Sequence, residues 1–143
     1  FTRTTILVYP SANGARVRIL IAEDERINQL YLSHLLRDAG YEVVLASTGE
    51  EVLDRLRESP CDLVLMDIQM PDMDGIEATK RIRAGEAGET LCEVPVIALT
   101  AYASSADEQR FVEAGIADAL AKPFNEPRLM ALIERHRGGS DQS

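Results

Sequence analysis

The chain has 143 residues, 24 of them acidic and 15 basic, for a net charge of -9. That balance argues against binding a nucleic-acid backbone, which needs a basic face, and fits a protein that binds cations. Hydrophobic residues make up 45% of the chain and no apolar run approaches the roughly 20 residues of a membrane span, so one domain with one sizeable core and no membrane contact is expected. No signal peptide is evident, and the chain opens on Phe1 rather than Met, as an excised fragment would. Cys61 and Cys92 are too few for a disulfide framework and are expected to be reduced.

Residues 1–15 read as a linker or the remnant of an upstream region, because Pro10, Ser11, Asn13 and Gly14 break the pattern that starts at Thr5. Residues 17–22 form a first buried strand running into Glu23 and Asp24. A helix follows with Ile27, Leu30, Tyr31, Leu35 and Leu36 as its apolar stripe and Gly40 at a left-handed cap. Residues 42–46 are the second strand. Ser47 and Thr48, with Glu50 and Glu51 three residues on, offer capping boxes for a helix that Pro60 stops. The third strand, 62–66, delivers Asp67 at its tip. Turn residues follow, and Asp74-Gly75 open a helix carrying Ile76, Thr79 and Ile82. Residues 85–93 are predicted as a polar loop. The fourth strand, 94–99, ends on Thr100, and Ser105 with Glu108 caps the next helix, which Gly115 closes. Residues 118–121 are a short fifth strand leading into Lys122-Pro123. Asn125 caps a last helix with Leu129, Leu132, Ile133 and His136 on one stripe, and 138–143 read as a disordered tail.

Strands that alternate with helices run parallel, with right-handed crossovers and helices on both faces. Five such pairs cannot close an eight-stranded barrel, so the predicted fold is α/β, an open doubly wound five-stranded parallel sheet with five helices in three layers, formed by residues 16–137.

In such a sheet the C-terminal strand tips share one edge, where ligands bind. That edge collects Glu23, Asp24, Asp67, Thr100 and Lys122. Taken singly, Glu23-Asp24 would be a solvated helix start, Thr100 a turn residue and Lys122 a surface lysine. Together they form a set. Three clustered carboxylates repel one another and call for a cation, and a half-open oxygen site suits Mg²⁺. A carboxylate nucleophile, a lysine and a hydroxyl beside that cation meet the needs of phosphoryl transfer onto Asp67. His34 and His136 read as structural residues rather than relay groups.

The residues also resemble a family, the receiver domains of two-component response regulators. The resemblance runs from Arg18 to about His136 and rests on Glu23-Asp24, on Met66-Asp67 with Met70-Pro71-Asp72-Met73-Asp74-Gly75, on Thr100-Ala101 and on Lys122-Pro123-Phe124. It implies a flavodoxin-like strand order 2-1-3-4-5 and a cis peptide before Pro123. It also implies Asp67 as phosphoacceptor, a Mg²⁺ site of Glu23, Asp24, Asp67 and the Gln69 backbone carbonyl, Thr100 as switch hydroxyl and Lys122 as phosphate contact. Glu23-Asp24 with Asn28-Gln29, and Met66 to Pro71, are similar to receivers of hybrid sensor histidine kinases in particular. The implied partners are a histidine kinase's phosphohistidine domain and a histidine phosphotransfer domain, with a second copy of the chain as a further one. The expected location is cytoplasmic. One departure stands out: Ala119 occupies a position where many receivers carry an aromatic switch residue.

The leading expectation is therefore a phosphorelay module and not an enzyme. Alternatives are a free-standing single-domain regulator, a receiver-like scaffold without phosphorylation, and an Asp-nucleophile phosphatase. The phosphatase would need an acid/base Asp two residues after the nucleophile, where Gln69 stands.

Overall fold

The structure, a computed structural model, describes residues 16–101, 104–123 and 125–137. The readings of 1–15 as linker and 138–143 as tail lie outside the described residues. Five strands alternate with five helices: β1 Arg18–Ala22, α1 Arg26–Asp38, β2 Glu42–Ala46, α2 Gly49–Glu58, β3 Leu63–Asp67, α3 Gly75–Arg83, β4 Val96–Thr100, α4 Ser105–Ala114, β5 Asp118–Ala121 and α5 Glu126–His136. The pairings among these five strands are parallel and the sheet order is β2-β1-β3-β4-β5. The doubly wound architecture and the 2-1-3-4-5 order are thus as expected.

The strands are apolar on both sides because helices cover both faces. Leu20, Val64, Met66, Val96 and Ala98 face a core built with Val52, Leu53 and Leu56 of α2, Ile76 and Ile82 of α3, and Phe111 of α4. The alternate residues Ile19, Ile21, Leu63, Leu65, Ile97 and Leu99 face Leu32 and Leu36 of α1 and Leu129 and Ile133 of α5. β3 lies at the centre, and every one of its residues, Asp67 included, is buried.

Most helix starts are fixed by local side chains. Thr48, Asp74 and Asn125 accept from the backbone N–H groups of Glu51, Glu77 and Arg128. At α4 the capping box is Ser104 with Asp107, one residue earlier than the expected Ser105 and Glu108. The box needs an extended residue at the cap, and Ser104 has that backbone while Ser105 is already helical. At α2 the single box is split: Glu51 reaches back to the amide of Ser47 rather than of Thr48.

Two expectations are corrected. Residues 85–93 are not simply a polar loop; they contain a 3-10 turn, Glu89–Leu91, and bury Ala87 and Leu91 against the α2–α3 core. The α1 stripe is also differently placed. Its buried face is Gln29, Leu32, Ser33 and Leu36, while Ile27, at 78% exposure, Leu30 and Tyr31 face solvent. Polar side chains hold core-facing positions here because the interior offers Gln29 hydrogen-bond acceptors, described below.

Arg83, at the end of α3, ties three segments together through backbone carbonyls. Its Nε and Nη2 donate to the Gly115 carbonyl at 3.1 and 2.6 Å, and its Nη1 to the carbonyls of Cys92 and Val94 at 3.0 and 2.8 Å. Gly115 has φ +91°, so it ends α4, as expected, and does so in the left-handed conformation.

Gly75 makes room for the tip of β3. A Cβ there would lie 2.6 Å from the Asp67 carbonyl oxygen and 2.8 Å from Met66 Cγ. Gly75→Ala is expected to cost about 1–3 kcal/mol through overpacking, seen as a lower urea midpoint. An unchanged midpoint would mean that α3 can shift outward freely.

Candidate functional site

The parallel register brings β1, β3, β4 and β5 to one edge. Glu23 follows β1, Asp67 ends β3, Thr100 ends β4 and Lys122 follows β5. Glu23 and Asp67 are buried, at 1% and 4% exposure, whereas Asp24 is exposed. One carboxylate oxygen from each of Glu23, Asp24 and Asp67 lies within 4.8 Å of the others. Lys122 Nζ sits between two of them, 3.3 Å from Glu23 Oε1 and 3.3 Å from Asp67 Oδ1. The backbone N–H of Gln69 donates to Asp67 Oδ1 at 3.1 Å.

These contacts set the charge state of Asp67. Burial is the largest influence and raises its pKa from 3.8 to about 6, and the Glu23 charge pushes the same way. Lys122 and the Gln69 N–H pull it down without cancelling that rise. The carboxylates are therefore held together at an electrostatic cost that one lysine only partly offsets.

Thr100 is buried beside this group. Asp67 pairs with Leu99 across the β3–β4 ladder, so Thr100 follows directly on from Asp67's neighbour. Its carbonyl accepts from the Lys122 amide at 2.7 Å, which couples the ends of β4 and β5. The Lys122–Pro123 peptide is cis, as the resemblance implies. Every predicted side chain of the site thus reaches the same edge.

The donor set fits a hard divalent cation: three carboxylate oxygens, one of them on an exposed side chain. A bound Mg²⁺ would supply charge neutralisation, both of the clustered carboxylates and of phosphoryl oxygens brought to them.

One supporting residue was not singled out by its periodicity. The buried Gln29 amide donates to the Glu23 carbonyl at 2.6 Å, to Ser47 Oγ at 3.0 Å and to the Ala46 carbonyl at 3.4 Å. The signal was present as the spacing 29, 32, 33, 36, which is one helical face, but it was masked by two polar members.

A cation-ready acidic cluster with a lysine and a hydroxyl, at the C-terminal edge of a doubly wound parallel sheet, defines a class: modules that carry a phosphoryl group on a carboxylate. The model of the response regulator receiver domain matches residues 19–134. Sensor protein GacS of Pseudomonas syringae pv. syringae is 36% identical over 129 residues, 90% of this chain but 14% of GacS. The polar-differentiation response regulator DivK of Brucella ovis is 38% identical over 120 residues, covering 84% of this chain and 95% of DivK. The receiver domain of sensor histidine kinase PA1611 from Pseudomonas aeruginosa, crystallised with magnesium in its active-site cleft, is 37% identical with a TM-score of 0.76, covering 85% of this chain and 97% of that one. The chain belongs to the response regulator receiver family, and it resembles receivers of hybrid sensor kinases. Its acidic triad beside Lys122 matches the Mg²⁺ and phosphoaspartate site of receiver domains, which are phospho-acceptor modules.

Proposed function

We propose that Asp67 takes a phosphoryl group from a phosphohistidine on a helical partner domain, a histidine kinase's own or a histidine phosphotransfer domain. An Asp67 carboxylate oxygen attacks phosphorus, the P–N bond to the imidazole breaks with its electron pair going to nitrogen, and an aspartyl phosphate remains. Lys122 neutralises charge on the transferring oxygens, and Glu23, Asp24, Asp67 and the Gln69 carbonyl would hold a Mg²⁺ that, when bound, would supply further neutralisation there. The Thr100 hydroxyl then bonds the new phosphoryl group. The observation that carries this reading is Lys122 Nζ at 3.3 Å from both Glu23 and Asp67. It sets a cation, a nucleophile and a metal carboxylate within a single phosphoryl group's reach.

Context follows from the same reading. Residues 16–137 are the receiver unit of a hybrid kinase, a reading supported by the 36% identity to GacS, while the match over 95% of DivK supports the alternative of a free-standing regulator. It works in the cytoplasm, which two free cysteines suit; no helix among the described residues is long and apolar enough to cross a membrane. The exposed Ile27, Leu30 and Tyr31 on α1 offer a helical donor an apolar seat beside Asp24. Output contacts, a second copy among them, use the face of α4, β5 and α5. There Ala119, Phe111, Val112, Ile116 and Arg128 line an open cavity of about 310 Å³, and Ala119 leaves unfilled the space an aromatic would take.

A small phosphoramidate donor mimics the P–N bond and tests the chemistry. With Mg²⁺ the protein is expected to gain one phosphate by intact mass. Equal uptake in excess chelator would contradict the metal-assisted transfer.

A further inference from the structure

The loop after β1 carries two of the three carboxylates, and at its helix end the Asn28 amide donates to Glu25 Oε1 at 2.9 Å and to Glu23 Oε2 at 3.5 Å. Glu25, the N-cap of α1, makes no side-chain capping bond, unlike Thr48, Asp74, Ser104 and Asn125 at the other helices. The loop is also held from beneath. Its first amide, of Glu23, donates to the Ala46 carbonyl at 3.0 Å. Its first carbonyl, also of Glu23, accepts from the buried Gln29 amide at 2.6 Å. The same nitrogen reaches Ser47 Oγ at 3.0 Å, and Glu51 in turn accepts from the Ser47 amide at 2.7 Å. A chain of hydrogen bonds thus runs from the first turn of α2 through Gln29 to the backbone under Glu23 and Asp24.

We infer that Gln29 is a positioning residue for the metal site: its amide locks the β1–α1 loop to the end of β2, so that Glu23 and Asp24 stand ready before the cation arrives. This rests on the assignment of the acidic triad as the Mg²⁺ site. Gln29 touches no carboxylate itself. It fixes the backbone from which two of them project, and a polar side chain in a core-facing position costs stability unless its bonds are made. An ordered loop spares the binding step the entropy of ordering it. Partners one shell out from a metal typically govern its affinity by about 10–100-fold.

The test replaces the amide with an apolar side chain of similar length, Gln29→Met, and follows Mg²⁺ binding by amide NMR titration, independently of phosphorylation. Half-saturation is expected to rise by about 10-fold or more, while phosphate uptake at saturating Mg²⁺ approaches that of the parent chain. Ser47→Ala, at the rim, keeps the experiment informative should Gln29→Met fold poorly; it is expected to shift half-saturation in the same direction by less. Ile133→Val, in the core on the α5 side, lowers stability without touching the loop and is expected to leave Mg²⁺ affinity unchanged. Unaltered affinity in both Gln29→Met and Ser47→Ala overturns the role of Gln29, as does an equal loss in Ile133→Val. A parent chain that shows no Mg²⁺-dependent shifts at all instead overturns the metal assignment beneath it.

Discussion

Asp67→Asn protein is expected to gain no phosphate from a small donor with Mg²⁺, while the parent chain gains one that maps to the peptide containing Asp67. The amide that replaces the carboxylate is no nucleophile, so the loss should be complete rather than partial. Glu23 makes this a sharp test. Its Oε1 lies as close to Lys122 as Asp67 Oδ1 does, 3.3 Å in each case, so proximity to the lysine does not by itself choose the acceptor. Asp67 is favoured because it ends the central strand and its carboxylate also meets the Gln69 amide. Phosphate appearing on Glu23, or undiminished uptake in the Asn variant, would reassign the acceptor.

The same substitution should stabilise the metal-free fold at neutral pH. The Asp67 pKa is raised in the folded state from 3.8 to about 6, burial first and the Glu23 charge second. Between those values the folded chain keeps a proton that the unfolded chain has lost. Stability therefore falls as pH rises through about 4 to 6 and stays lower above that window. Asn carries no charge to bury, so Asp67→Asn is expected to be more stable than the parent by about 1–3 kcal/mol at pH 7 without Mg²⁺, measured by urea unfolding. The difference should shrink towards zero by pH 4, and saturating Mg²⁺ should narrow it by stabilising the parent alone. A less stable Asn variant at pH 7 would mean that the Lys122 contact outweighs the burial of the charge.

The site was legible because each of its side chains follows a short apolar run, and parallel strands bring such positions to one edge whatever their spacing in the chain. Asp67, Thr100 and Lys122 needed only strand direction to be grouped. The support beneath them was less visible. Gln29 and Ser33 occupy the inner face of α1 while Ile27, Leu30 and Tyr31 lie outside, so hydropathy placed Leu35 and Leu36 on the core side but misplaced the first two turns. What decides the matter is a set of acceptors, the carbonyls of Glu23 and Ala46, that come from other elements and exist only once the fold does. The Arg83 contacts escaped for the same reason: three carbonyls distant in sequence are not a pattern. The one-residue error at Ser104 has a smaller cause, since Ser104 and Ser105 both have an acidic residue three positions on.

The Arg83 fork also gives α4 the mechanics of a lever. One end is fastened: the Gly115 carbonyl takes two of the four guanidinium hydrogen bonds, a forked grip that the single ammonium of a lysine could not reproduce. At the other end the cap is internal to the helix, Ser104 and Asp107 bonding each other. That end follows β4 in the chain, whose last residue is Thr100. Ten residues at 1.5 Å each give an arm of about 15 Å, so a tilt of roughly 10° about the fastened end would carry the other end about 2.6 Å. A small pull at the tip of β4 would thereby become a swing of the surface that carries Glu108 and Val112, with its fulcrum on an arginine that belongs to neither.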